Sequence, residues 1–165
     1  MSATSSGPAI TIRAATREDT PSLGRLGAML VRSHHDYDPR RFIAATSGTE
    51  EGYGSFLGTQ IDEPDVVVLV AETGGHVLGY SYAGMEGTDW MSLRGPAGAL
   101  HDLVVDPAHR RRGVGRLLLE ATLTSLKHMG ARQFELYTAE LNEPAQGLFA
   151  SAGFRRTMVE MTRET

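Results

Sequence analysis

The chain has 165 residues, 41% of them apolar and 22% charged, which is the balance of one ordinary globular domain rather than of a disordered or low-complexity segment. A formal net charge of -4 and the absence of cysteine argue against nucleic acid as the main partner and exclude disulfides, thiolate metal sites and a cysteine nucleophile. The longest aliphatic run, residues 66–71, is far below a membrane span, so no membrane partner is expected.

Residues 1–8 are rich in Ser, Gly and Pro and read as a flexible tail before a single domain over 9–165. No basic segment followed by an apolar run opens the chain, so a cytoplasmic protein is expected. Ile10, Ile12 and Ala14 alternate as a short first strand. Thr16 and Asp19 are candidate helix caps, Pro21 suits a first turn, and Leu23, Leu26, Gly27 and Leu30 follow at helical spacing. The stretch from 33 to 60 is irregular, with a short second helix suggested by Tyr53, Phe56, Leu57 and Ile61. Residues 66–73 and 77–85 flank Gly74-Gly75 as a β-hairpin, and 87–96 read as a loop.

A fourth strand over 99–105 ends at Asp106-Pro107. Val114, Leu117, Leu118 and Ala121 then recur at i, i+3, i+4 and i+7, predicting a well-buried helix that Gly130 stops. Residues 134–138 read as a strand, 144–152 as a short helix and 154–161 as a last strand. The order predicts an α/β fold: a mixed sheet of six or seven strands with about four helices on its two faces.

The chemistry is concentrated in Arg110-Arg111-Arg112-Gly113-Val114-Gly115-Arg116. Outward N–H groups and the dipole at a helix start stabilise an anion, glycines let it approach the main chain, and arginines add charge-assisted hydrogen bonds. Neither the GxxxxGK[ST] nor the GxGxxG signature fits, so the phosphate-bearing ligand is of another kind. His34, His35, Asp36 and Asp38 are adjacent rather than spaced as metal ligands, and no metal is expected.

The pattern Leu103-x-Val105-x-Pro107-x-x-Arg110-x-x-Gly113-x-Gly115 resembles the acetyl-CoA motif of the GCN5-related N-acetyltransferase family. Asn142 to Ala145, Leu148-Phe149 and Gly153-Phe154 are similar to the motif closing the same site. The resemblance covers nearly the whole chain in element order and is specific over roughly 99 to 155. It implies a mostly antiparallel sheet splayed between strands four and five, with Leu103, Val104 and Val105 along the pantetheine arm. It also implies Arg110 to Arg116, including Val114, around the pyrophosphate, and Asn142 and Phe149 against the cofactor. A homodimer is a family analogy.

Acyl transfer to an amine needs the neutral nucleophile, which an alkylamine of pKa about 10.4 presents at pH 7 only about once in 10³, a handicap of roughly 4 to 5 kcal/mol. A base is therefore required. His101 and Asp102 are the alternatives, with Glu86 and Glu135 weaker; consecutive strand residues face opposite sides, so one of the pair reaches the cleft unless a bulge intervenes. Relatives commonly carry a tyrosine at the position of Phe149 as the acid for the departing thiolate. Its absence leaves a water or another tyrosine such as Tyr137 for that step, or else a weakly active or non-catalytic CoA-binding sensor module. Trp90, Glu86 and Tyr37 are the expected acceptor-binding residues; the acidic groups favour a cationic amine, whereas Arg40, Arg41 and Arg94 favour a carboxylate-bearing one.

Overall fold

The computed structural model describes residues 9–165, and the tail expected over 1–8 lies outside them. Thr11–Ala14 (β1) leads through a short 3-10 turn into Thr20–Tyr37 (α1). Thr16 and Asp19 form a capping box, and Pro21 sits in the first turn, where a missing N–H is tolerated. Arg13 donates to both oxygens of Asp19 at 2.8 and 2.9 Å and holds this buried carboxyl below the usual range.

Thr49–Gln60 (α2) forms in spite of Gly52, Gly54 and Gly58 because close packing outweighs their poor propensity. A Cβ on Gly24 would lie 2.3 Å from the Glu50 carbonyl oxygen, and one on Gly27 would lie 2.1 Å from the Tyr53 ring. Glycine here lets α2 reach α1 and lets Tyr53 pass beneath it.

Val66–Thr73 (β2) and His76–Glu86 (β3) form the expected hairpin, with Gly74 and Gly75 at φ 55° and 80°; that pair of left-handed residues suits a tight two-residue turn. Ala97–Val105 (β4), Val114–His128 (α3), Phe134–Leu136 (β5) and Glu143–Ser151 (α4) follow. The sheet runs β1-β2-β3-β4-β5, with β4 and β5 parallel and the other neighbours antiparallel.

Both faces are covered. Val67, Leu69 and Ala71 join Leu118, Leu119, Leu126 and Phe149 on one side, whereas Val68 and Val70 join Leu23, Leu26, Leu57, Tyr80 and Val104 on the other. This double coverage explains why β2 reads as a continuous apolar run rather than an alternating one. Among the described residues no helix is long and apolar enough to cross a membrane.

Among the described residues the sheet has five strands, not six or seven, because the segment expected as the last strand, 154–161, joins no ladder. Phe154 turns inward onto Phe149 at 5.9 Å between ring centroids, while Met158, Val159 and Met161 are exposed and Glu160 is held by an ion pair to Arg41. β5 is only three residues long, a short template, and the alternating side chains beyond Phe154 find no apolar surface to cover. The strand expected over 134–138 likewise ends two residues early, at Leu136.

Gly27→Ala should lower stability by about 1–3 kcal/mol through overpacking against Tyr53, read as a lower denaturation midpoint. Gly52→Ala, whose Cβ meets nothing within 4 Å, should instead stabilise by about 0.5–1 kcal/mol. Equal shifts would contradict the close contact at Gly27.

Candidate functional site

β4 pairs with β5 at Gly98–Phe134, Ala99–Glu135 and Leu100–Leu136, then the pairing stops although β4 continues to Val105. The strands splay as expected between the fourth and fifth. A cavity of about 420 Å³ fills the wedge, lined by Leu103, Thr138, Asn142 and Phe149 on one side and by His34 and Asp102 among others opposite. On this side the backbone of residues 101–105 has no strand to pair with, and buried backbone groups need partners.

On the other edge of β4, Tyr82 pairs with Asp102 and Ala83 with Leu100, leaving His101 as the extra residue of a bulge. The ordinary alternation is broken there, and both His101 and Asp102 line the cavity. Asp102 is 8% exposed, and its Oδ2 accepts hydrogen bonds from the Tyr53 and Tyr80 hydroxyls at 2.7 and 2.8 Å. Burial pushes the Asp102 carboxyl above the usual range, opposed by the two tyrosine donors and by the nearby His101 and His34. Burial and the Asp102 charge push both tyrosine hydroxyls up, so they stay protonated donors.

His101 packs on the Tyr82 ring at 4.9 Å, with Nε2 3.3 Å from Glu86 Oε1. It also lines a second cavity of about 130 Å³ beside Glu86, Asp89, Glu135 and Tyr137. Arg94 lies between Glu86, at 3.0 Å, and Glu135, at 2.6 Å. The latter contact is an ion pair by distance, its angle falling short of a hydrogen bond at Nε. Arg40 and Arg41 pair with Glu164 and Glu160. Trp90 and Tyr37 line neither cavity: Trp90 stands exposed on its loop, and Tyr37 meets the His34 ring edge-on at 6.1 Å.

At the far end of the wedge, Gly113 is the N-cap of α3 at φ 81°, with no side-chain cap and no acidic residue in the first turn. Those N–H groups are open to an anion. Arg110, Arg111 and Arg112 are in no ion pair among the described residues. Arg110 Nε donates to the Val105 carbonyl at 3.1 Å, whereas Arg116 donates to Ser151 Oγ at 2.7 Å, towards α4. Val114 puts its side chain into the core, so only its backbone is on offer. A Cβ on Gly115 would make ordinary contacts with Leu148 at 3.4 Å and Val105 at 3.7 Å, so packing alone does not require glycine there. Arg25 holds Asp106 at 2.8 Å, and Asp106 accepts from the Ala108 N–H, so α1 anchors the turn that precedes this loop.

Asn142 Oδ1 caps α4 at Ala145 N, 3.3 Å away, while its side chain borders the wedge. No group of three or more His, Asp or Glu among the described residues is placed to hold a metal. An extended ligand with a phosphate group fits this set: open N–H groups and the exposed Arg110, Arg111 and Arg112 at one end, then an unpaired strand edge, then a wedge.

The sequence reading gives Tyr80 no role, names His34 only within an adjacent group considered for metal, and names Tyr53 only as a helix and acceptor-region aromatic, so none of the three is expected beside Asp102. The available signal was His34 itself, a polar residue four positions after Leu30 on the stripe of Leu23, Leu26 and Leu30 that faces the sheet.

Residues 28–154 match the Acetyltransferase (GNAT) family. A mycothiol acetyltransferase of Thermobispora bispora is 36% identical over 97 residues, which are 56% of this chain and 31% of that protein. The chain thus spans about a third of that relative. A solved protein of Bacillus halodurans superposes with a TM-score of 0.81 at 23% identity, covering 94% of this chain and 99% of that one. The PaiA N-acetyltransferase of Thermoplasma acidophilum, solved with coenzyme A, superposes with a TM-score of 0.74 at 18% identity over 92% and 93% of the two chains.

Tyr53→Phe removes a donor to ionised Asp102 and should move its carboxyl further up, as read by a carbon-13 carboxyl titration. A carboxyl already raised in the fold makes ionisation costly, so wild type should lose stability relative to Asp102→Asn as pH rises through the folded value. Tyr53→Phe should enlarge that loss by about 1.5–3 kcal/mol, the worth of a hydrogen bond to a charged group.

Proposed function

The chain belongs to the Acetyltransferase (GNAT) family, and from that premise we propose that it transfers an acetyl group from acetyl-CoA to a primary amine of a small molecule or peptide, by direct attack in a ternary complex. The observation that carries this reading is the end of β4–β5 pairing at Leu100 and Leu136, in line with the uncapped start of α3. Acetyl-CoA is the acyl-donating substrate and brings an activated thioester. Leu103 to Val105 offer their open backbone edge to its arm, and the N–H groups and arginines of residues 110–115 offer themselves to its pyrophosphate. Asn142 and Phe149 wall the wedge.

Of the two alternatives for the base, we assign the role to His101. It borders both cavities and is oriented by Glu86, 3.3 Å away. Asp102 is the poorer candidate, because its Oδ2 is already engaged by two tyrosines. In this reading an N–H of the open β4 backbone near Val104 or Val105 receives the developing oxyanion. The smaller cavity sets three carboxylates, Glu86, Asp89 and Glu135, against the single Arg94, which favours an acceptor bearing a second positive charge. Arg40, Arg41 and Arg94, which would suit a carboxylate-bearing acceptor, are each paired with glutamate. The same reading includes a homodimer, which light scattering tests.

Phe149 supports a second reading, a CoA-binding module without efficient turnover, since its buried ring brings no proton to the wedge. Calorimetry with acetyl-CoA and free-thiol release over an amine panel separate the two. The first reading expects binding and thiol release, fastest with diamines; binding without release from any amine supports the second, and no binding refutes both. His101→Gln should cost about 10²–10⁴-fold in kcat and remove the acidic limb of the pH profile, whereas Asp102→Asn should keep that limb. Gly113→Val, strained at φ 81°, should weaken acetyl-CoA at least about tenfold.

A further inference from the structure

The leaving thiolate needs a proton, and position 149 supplies none. We infer that His34 of α1 protonates it: the imidazole in the wedge facing Phe149, with Nε2 as the exchanging atom. This rests on the acetyl-transfer reading above.

The first ground is position. His34 lines the larger cavity together with Phe149 and Asn142 and is absent from the smaller, acceptor-side cavity, whereas His101 borders both. His34 therefore borders the wedge proposed for the thioester and not the smaller cavity. The second ground is tautomer. Nδ1 lies 2.9 Å from the Leu30 carbonyl oxygen. A carbonyl only accepts, so Nδ1 carries the hydrogen, and Nε2 is left to take and give protons. The ring is also held in orientation, meeting Phe42 edge-on at 5.0 Å and Tyr37 at 6.1 Å. The Phe42 carbonyl is itself tied to His35 Nδ1 at 2.9 Å.

The third ground is charge. Asp102, anchored by Tyr53 and Tyr80, lines the same wedge as His34, and a carboxylate there attracts a cation across the wedge. His101 competes for the same carboxylate from β4. The remaining charged neighbour, Arg41, lies 5.0 Å over the Phe42 ring and is paired with Glu160.

The other hydroxyls of the wedge serve the sulfur poorly. Tyr53 already donates to Asp102. Tyr137 is pushed up by burial and by Glu135 and Asp89, carboxylates that line the acceptor-side cavity.

The step balances without any added reagent. The amine nitrogen forms its bond to the carbonyl carbon, the carbon–sulfur bond breaks, and its electron pair stays on sulfur. The proton on His34 Nε2 moves to sulfur and yields the thiol of CoA. The nitrogen gives its own proton to His101, and exchange with solvent returns one proton to His34, so amide and thiol are the net products.

The test uses the full chain and His34→Gln. The variant should bind acetyl-CoA as wild type does, lose about 10²-fold in kcat and lose the alkaline limb of the kcat profile that a general acid produces. A readout without turnover is calorimetry with CoA against desulfo-CoA, which lacks the sulfur. Wild type should favour CoA by up to about tenfold, and His34→Gln should bind the two alike. Should the variant not fold, nitrogen-15 spectra of the wild-type imidazole serve: neutral His34 should carry hydrogen on Nδ1, and its Nε2 signal should move with CoA and not with desulfo-CoA. A His34→Gln enzyme with unchanged kcat and alkaline limb, unchanged discrimination, or hydrogen on Nε2 in the neutral ring overturns the inference while leaving acetyl transfer standing. Absence of any CoA binding overturns both.

Discussion

The separation of β4 from β5 after Leu100 and Leu136 is the constraint on which the rest of the site depends. A bulge bends its strand and strengthens the local twist, and the bulge at His101 falls one residue beyond the last paired residue of β4. One irregularity thus coincides with three consequences. β4 turns away from its parallel neighbour, the backbone of 101–105 is left open on one edge, and two successive side chains face the same cavity. Had the ladder continued to Val105, the wedge would be filled by backbone hydrogen bonds and the uncapped start of α3 would lead to no cleft.

The open edge and the anion site are scaffolded from opposite faces of the sheet. α3 and α4 form the lower layer, with Leu118 and Leu119 in one core cluster with Phe149. The upper layer reaches the loop through Arg25 and Asp106 and reaches the chemistry through Tyr53. That tyrosine reaches Asp102 only because Gly27 has no side chain in its path. Helix packing and the ionisation of a buried carboxylate are therefore one energetic problem, since a group that costs free energy to bury is stabilised by donors whose positions the helix crossing fixes. The acceptor-side cavity handles charge differently, with Arg94 bridging Glu86 and Glu135.

How legible each part was follows from the range of the interactions involved. β2 was legible to its end residues because turn glycines and a doubly buried apolar run are local signals. The turn from β4 into α3 was legible because a strand, two glycines and a helix start lie within a dozen residues. The segment 154–161 was misread because alternation reports that a strand has two different faces, not that a partner edge exists; β5 offers three residues and the side chains stay exposed. The Asp102 cluster was out of reach, since it joins residues 49 and 22 positions away from Asp102. The bulge could be named only as a condition, because a one-residue register shift leaves no composition mark.

The two sides of the reaction also differ in where their residues come from. The groups proposed to bind the donor lie on β4, the 107–115 loop and α4, close in sequence and directed at one ligand whose shape does not vary. The proton-handling groups proposed here lie on α1 and on the bulge, with Tyr53 of α2 behind them. The same two helices, with the 38–48 connection, wall the side proposed here for acceptor entry: Leu30, Val31, Phe42 and Ile43 line the cavity there. An acid placed on α4 is fixed by the donor site and indifferent to the acceptor. An imidazole on α1, clamped by Phe42, is positioned by the layer that recognises the acceptor. Acceptor selection and thiolate protonation then share a support, and a change in the 38–48 connection that admits a different amine also moves the group that completes the transfer.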